Sequence, residues 1–432
     1  MPEDNLKESK MMVIDNNINM EQQSLYRISN YRKINIALIV ASIFFVVSPY
    51  LYNLIPTSIK CILIIIWHVN SFVFENKFKT FAFKSAFFVF LVWIFWCIFL
   101  RIAGYSSAEW GNYYKLIAMS DIIIKSLYVL KFYSDKEKSF LLRAIQMIFL
   151  VNIVHNVFIY ILDPDSFVPV AYHPEAYMGT NKVSSALFYH ALAFFVIGNV
   201  VLLRSEKILW CKTLAILSIF FSVFFMFSVV PRMNAIVVLI LMLILYVLQN
   251  TKKTINRVFI VLLVPAILAL GFLFADTMIE SLPTRLRVRV ESVLYVLNEE
   301  EYYAEGSLLS RGELQLNSLR TWLNNDFQTF FIGKGMHLGS EYLDIIGQHA
   351  FVTNCLAMYG CVGLLFVLYV FWGLRRVYLS AFEYSEIRQY ANSVFFGFLF
   401  LLCISGAFDC IVGISFFLFF ACMDKNFEER SS

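Results

Sequence analysis

Charge is scarce in this 432-residue chain. Asp, Glu, Lys and Arg make up 15% of it against 59% hydrophobic residues, and the mean hydropathy of +0.69 excludes an ordinary soluble domain. The formal charge of +4 is dispersed. No basic patch is interleaved with aromatics, so nucleic acid is excluded as a partner. None of the eight cysteines forms a C-x-x-C pair, which speaks against a metal site or a disulfide framework; they read as small apolar packing residues. The phosphate-binding loop, the dinucleotide glycine motif, H-E-x-x-H and G-x-S-x-G are all missing. Low complexity is absent, and so is an inverted repeat, which weighs against a secondary transporter.

Apolar runs of about 17–22 residues are what the chain has instead, each long enough to cross a bilayer as a helix. They predict an all-α polytopic membrane protein of about 12 transmembrane helices, at 34–54, 58–74, 85–103, 114–131, 143–162, 183–203, 210–230, 232–249, 257–275, 350–373, 390–408 and 410–423. The polar N-terminal stretch is too long and too mixed in charge for a signal peptide and reads as a retained tail, 1–33. Clusters such as Lys77/Lys79/Lys84, Lys252/Lys253/Arg257 and Arg375/Arg376 fall in alternate connections. The positive-inside rule then puts both termini in the cytoplasm. The layout is a tail, helices one to nine over 34–275, a large outer loop 276–349, helices ten to twelve over 350–423, and a C-terminal tail 424–432.

The loop is the longest polar stretch of the chain, and a reaction site is a reason to build one. Ser310-Arg311-Gly312-Glu313 is a capping box followed by Leu316, Leu319 and Leu323, which predicts an amphipathic helix from Arg311 to about residue 324. Acids outnumber its basic residues, so it is not a lid held simply by anionic lipid.

Arg232 follows Pro231 at an expected outer helix start, where free amides and the helix dipole favour an anion. It could grip a phosphate in a bidentate way or snorkel at the interface. Arg311 opens the loop helix in the same manner, and the two arginines together make a diphosphate clamp, with Arg320 as understudy. Taken alone, Arg311 is better read as a solvated loop residue. His349 stands where the loop meets a span, one turn before Thr353 on the same face. It could accept a proton from a hydroxyl nucleophile or be a hydrogen-bonded interfacial residue; Glu313 is an alternative base. His337 is a second histidine candidate. Lys182, closing the outer connection Asp163–Lys182, joins Arg320, Thr353 and His337 as a substrate-binding candidate.

Within the spans, Asp121 and Lys125 are spaced i,i+4 and can neutralise one another, or line a headgroup cavity. Asn152, His155 and Asn156 could be interhelical glue, with a substrate-lining role as the alternative. Asp409 reads as a turn residue.

Val230-Pro231-Arg232, Ser310-Arg311-Gly312-Glu313, Phe331-Ile332-Gly333-Lys334-Gly335-Met336, Gln348-His349, Tyr359-Gly360 and Gly363, on a twelve-span layout with its largest loop before the tenth span, resemble the O-antigen polymerase and ligase superfamily. Met178-Gly179-Thr180-Asn181 is similar too. Ala350 follows His349 where ligases commonly carry Asn, which favours the polymerase. The resemblance implies a GT-C-type glycosyltransferase of the bacterial inner membrane, with a periplasmic loop and no metal or other cofactor. Its donor and acceptor would be undecaprenyl-diphosphate-linked glycans, and a chain-length regulator protein is the partner it allows for. His349, Arg232 and Arg311 would be the catalytic residues.

Overall fold

The computed structural model describes residues 30–74, 110–167, 182–229, 233–251, 351–405 and 409–425, with the shorter pieces 95, 98, 169–170, 173–177, 287, 315–316, 319–320, 322–323 and 327–333. These residues are helical apart from one antiparallel ribbon, β1 (Pro169–Val170) with β2 (His173–Tyr177), in the connection Asp163–Lys182. The helices are α1 (Asn30–Val47), α2 (Pro49–Leu54), α3 (Thr57–Val69), α4 (Trp110–Phe132), α5 (Asp135–Leu162) and α6 (Ala186–Ser205). There follow α7 (Leu209–Phe224), α8 (Met233–Asn250), α9 (Phe327–Ile332), α10 (Phe351–Ser380), α11 (Ser385–Ile404) and α12 (Cys410–Met423).

Seven helices among the described residues are long and apolar enough to cross a membrane. Their exposed faces are apolar, with Phe158 and Ile161 on α5, Phe220 on α7, and Leu365, Tyr369 and Trp372 on α10 all largely uncovered. Charged and amide side chains such as Lys125, Gln146 and Asn199 are buried. A chain that turns grease outward and hydrogen-bonding groups inward is built for lipid as its solvent. The expected span 257–275 lies outside the described residues, and so does 85–103 apart from residues 95 and 98.

α5 begins eight residues before its expected span because Ser134 and Glu137 close a capping box there, both contacts at 2.8 Å. The centre of the bundle is α12, whose residues are all buried. Its phenylalanines interleave with α6 and α11: Phe416 lies 5.9 Å from Phe194, Phe419 5.5 Å from Phe195, and Phe416 5.7 Å from Phe398. Glycines let the backbones approach, since a Cβ on Gly198 would run into the ring of Phe419, and one on Gly397 into Met242. The middle of α12 widens into a π turn over Ile414–Leu418, and Tyr378 donates to its Phe417 carbonyl at 2.7 Å.

Hydrogen bonds sort the helix ends onto two faces. On one, Arg32 at the start of α1 donates to the Phe132 carbonyl at the end of α4. Asn70, just beyond α3, donates to Asn35 and the Tyr31 carbonyl. Tyr390 of α11 donates to Asn250 at the end of α8. Lys138 of α5, the α6–α7 turn, the α10–α11 turn and the end of α12 meet through Asp424 and Lys425. On the other face, Lys182 pairs with Asp163, and Asn234 donates to the Ile404 carbonyl. The first residues of the expected tail 424–432 are therefore not solvated; Asp424 and Lys425 are buried in the bundle end.

Candidate functional site

Of the expected loop 276–349, the short helix α9 packs against the bundle at α10. The latter is broken at Gly360, whose φ of +65° and ψ of −168° belong to a region almost confined to glycine. The expected span 350–373 is thus two pieces, and the stretch able to cross a membrane is Tyr359–Ser380. α9 packs into the break so closely that a Cβ on Gly360 would overlap the main chain of Phe331 and sit 2.6 Å from the Ile332 amide nitrogen. Trp322 stacks on Phe330 with centroids 4.9 Å apart and donates to the Phe330 carbonyl at 3.0 Å. Gly333, at φ +82°, ends α9.

Thr353 lies half-buried in the first turn of α10, before the break. Arg320 is exposed beside Leu316 and Leu323, on the stretch that carries Trp322. The structure thus brings the segment of Arg320 and the helix of Thr353 into one assembly through α9. Lys182 is elsewhere: its Nζ is 3.1 Å from Asp163 Oδ2, and its carbonyl accepts from His155 Nε2 at 3.0 Å. Hydrogen bonds from the Ser166 hydroxyl and from Lys182 hold the Asp163 carboxyl below the usual carboxylate range. Arg232, Arg311, His337 and His349 lie outside the described residues, as does Glu313; the helix that Arg232 would open is described from Met233 onward.

Of the amide cluster on α5, Asn156 ties the helix to the connection leading into α6, while Asn152 bonds within its own helix. Asn156 donates to Ser184 Oγ and accepts the Ser184 amide, both at 2.9 Å, and Asn152 donates to the Ile148 carbonyl. Asn156→Ala would strand two buried groups of Ser184, so a loss of about 1–3 kcal/mol is expected in detergent unfolding; unchanged stability would show that water replaces the amide. Asp409 caps α12, accepting the Ile411 amide at 2.9 Å.

A second constellation lies inside the bundle. Lys125 Nζ is 2.6 Å from Asp121 Oδ2, and His68 Nδ1 is 3.6 Å from Asp121 Oδ1. The pairing of Asp121 with Lys125 agrees with their spacing, whereas His68 was not singled out by sequence reasoning. The available signal was Lys60 and His68, two helical turns apart in an otherwise apolar run. Among the described residues no group of three His, Cys, Asp or Glu could hold a metal ion.

No protein-family model matches this sequence, and a search of curated proteins returns no match either.

Proposed function

We propose that this chain is a metal-independent membrane glycosyltransferase that polymerises undecaprenyl-diphosphate-linked repeat units on the periplasmic side of the bacterial inner membrane. The supporting observation is the docking of the loop tail at Gly360. It gives the loop that carries Arg311 and His349 in the sequence a fixed seat against an expected membrane helix. Twelve spans are supported by direction. The described ends of α3 and α4 share one face, and so do those of α8 and α10. An odd number of crossings in each gap satisfies this, and one span apiece is the simplest. The lysine-rich connections favour that face as cytoplasmic.

In this reading Arg232 and Arg311 bind the diphosphate of the donor lipid and stabilise the charge it gathers as the sugar–phosphate bond breaks. His349 takes the proton from the acceptor hydroxyl as the new glycosidic bond forms. Apolar grooves between Phe-rich helices take the polyprenyl chains. Reconstitution with lipid-diphosphate-linked repeat units alone, followed by a gel, tests it. A ladder is expected, reduced by about 10²–10³-fold in Arg232→Ala or Arg311→Ala and by about 10²–10⁴-fold in His349→Ala. A normal ladder from a variant would remove that residue from the site. Products only after addition of lipid A-core would favour the ligase. The intramembrane charges around Asp121 favour a second reading, a transporter of lipid-linked oligosaccharide; transbilayer movement of the lipid without any polymer would support it.

A further inference from the structure

Asp121 is at the midpoint of α4 and 4% exposed. Its two oxygens are treated differently. Oδ2 receives Lys125 Nζ, which also donates to Ser42 Oγ at 3.3 Å and lies 5.4 Å from the Trp67 ring centroid. Oδ1 is buried and accepts no hydrogen bond. Asp121 is part of the wall of a cavity of about 20 Å³, lined also by Ser42, Lys60, Ile64, Ala118 and Cys410, room for about one water molecule. A carboxylate oxygen left without a donor in so apolar a place is a strong acceptor in waiting.

The group positioned to answer it is His68. Its Nδ1–H donates to the Ile64 carbonyl at 2.9 Å, which leaves the lone pair of the neutral ring on Nε2. A proton added there makes an imidazolium, its charge shared with Nδ1, which lies 3.6 Å from Oδ1. Lys125, on the other oxygen of Asp121, opposes that charge; Lys60 of α3 and Cys410 of α12, whose thiol donates to Asp409, line the cavity beside Asp121. We propose that His68 and Asp121 form a proton-binding site within the bundle, loaded at Nε2 of His68 from water and held by Oδ1 of Asp121. The Asp121–Lys125 pair lies within α4 alone, whereas the His68–Asp121 pair joins α3 to α4. Loading therefore adds a charge attraction between two helices, which gives the site a mechanical consequence.

The full-length protein in nanodiscs, labelled with [¹⁵N]imidazole-histidine, contains six histidines, and His68→Gln identifies the resonance. The ring is expected to take up a second proton as the pH is lowered. At a fixed acidic pH, Asp121→Asn should lower the imidazolium fraction about tenfold, the effect of one unit of lost charge pairing, and Asp121→Glu should restore it. Should Asp121→Asn not fold with Lys125 left unpaired, the double variant Asp121→Asn/Lys125→Met carries the same expectation. A ring that stays neutral throughout, or one that titrates identically without the carboxylate, would overturn the proposal.

Discussion

Gly360→Ala is expected to destabilise the reconstituted protein by about 2–6 kcal/mol, the sum of a forbidden backbone conformation and an overfilled contact. The two terms arise together. At φ +65° and ψ −168° an L side chain is strained whatever surrounds it. Here the surroundings are the main chain of Phe331 and Ile332, which cannot swing aside as a long side chain can. The protein can escape only by straightening α10 or by releasing α9, and either unseats the loop tail. Gly373→Ala is the control, on the same helix with open space where the Cβ would go; there the change should be neutral or gain up to about 1 kcal/mol of helix propensity. Unfolding in a denaturant series and Trp322 fluorescence would register the loss of stability and of the stacked contact. Equal stability of the two variants would mean that α9 is not seated in the break. If the loop tail is part of the transfer site, polymer formation should fall with Gly360→Ala even where folded protein remains.

The apolar runs announce the helices because lipid demands them: a stretch such as 210–230 has no other way to satisfy its amides. Ends are harder to read. Ser134 and Glu137 carry α5 well past the apolar run, by a cap that hydropathy does not register. Gly360 lies in an unbroken apolar stretch, and nothing local tells a packing glycine from one with positive φ; only the approach of α9 decides it. The ribbon of β1 and β2 was not anticipated within the connection Asp163–Lys182. At the candidate site the capping box at Ser310 and the helix start at Pro231 are local signals that a sequence can carry, but both lie outside the described residues. Long-range pairs could not. Lys138 looks like a surface lysine in the sequence, and Asp424 like the start of a tail. His68 was passed over because its partner, Asp121, is more than fifty residues away.

Asp424→Ala should have the other large effect, a loss of about 3–5 kcal/mol, because it leaves Lys138 buried without its countercharge. Asp424 is fully buried and Lys138 only 2% exposed. Lys138 Nζ is 3.6 Å from Oδ2 and donates to the Asp424 carbonyl at 2.6 Å, while the carboxylate accepts the amides of Glu383 and Tyr384 at 3.0 Å each. One side chain thus ties the start of α5 and the α10–α11 turn to the chain end, and the next residue ties the α6–α7 turn through Lys425 and Glu206 at 3.2 Å. Asp424→Ala/Lys138→Met should recover part of the loss, since no charge is then stranded; a double variant no better than the single one would show that the amides, not the lysine, carry the effect. The neighbouring pair adds a pH dependence of defined sign. Burial pushes the Glu206 carboxyl upward, but Lys425 and the amides of Ile208 and Lys207 outweigh it, leaving the group below its ordinary value. A depressed folded-state value means that the stabilisation is complete above the unfolded-state value and is lost as the pH falls through the folded one. The thermal midpoint of the wild type should accordingly drop on acidification through the carboxylate range more steeply than that of Glu206→Gln. Parallel curves would mean that Lys425 contributes nothing there, and that the clasp at this end of the bundle rests on Asp424 alone.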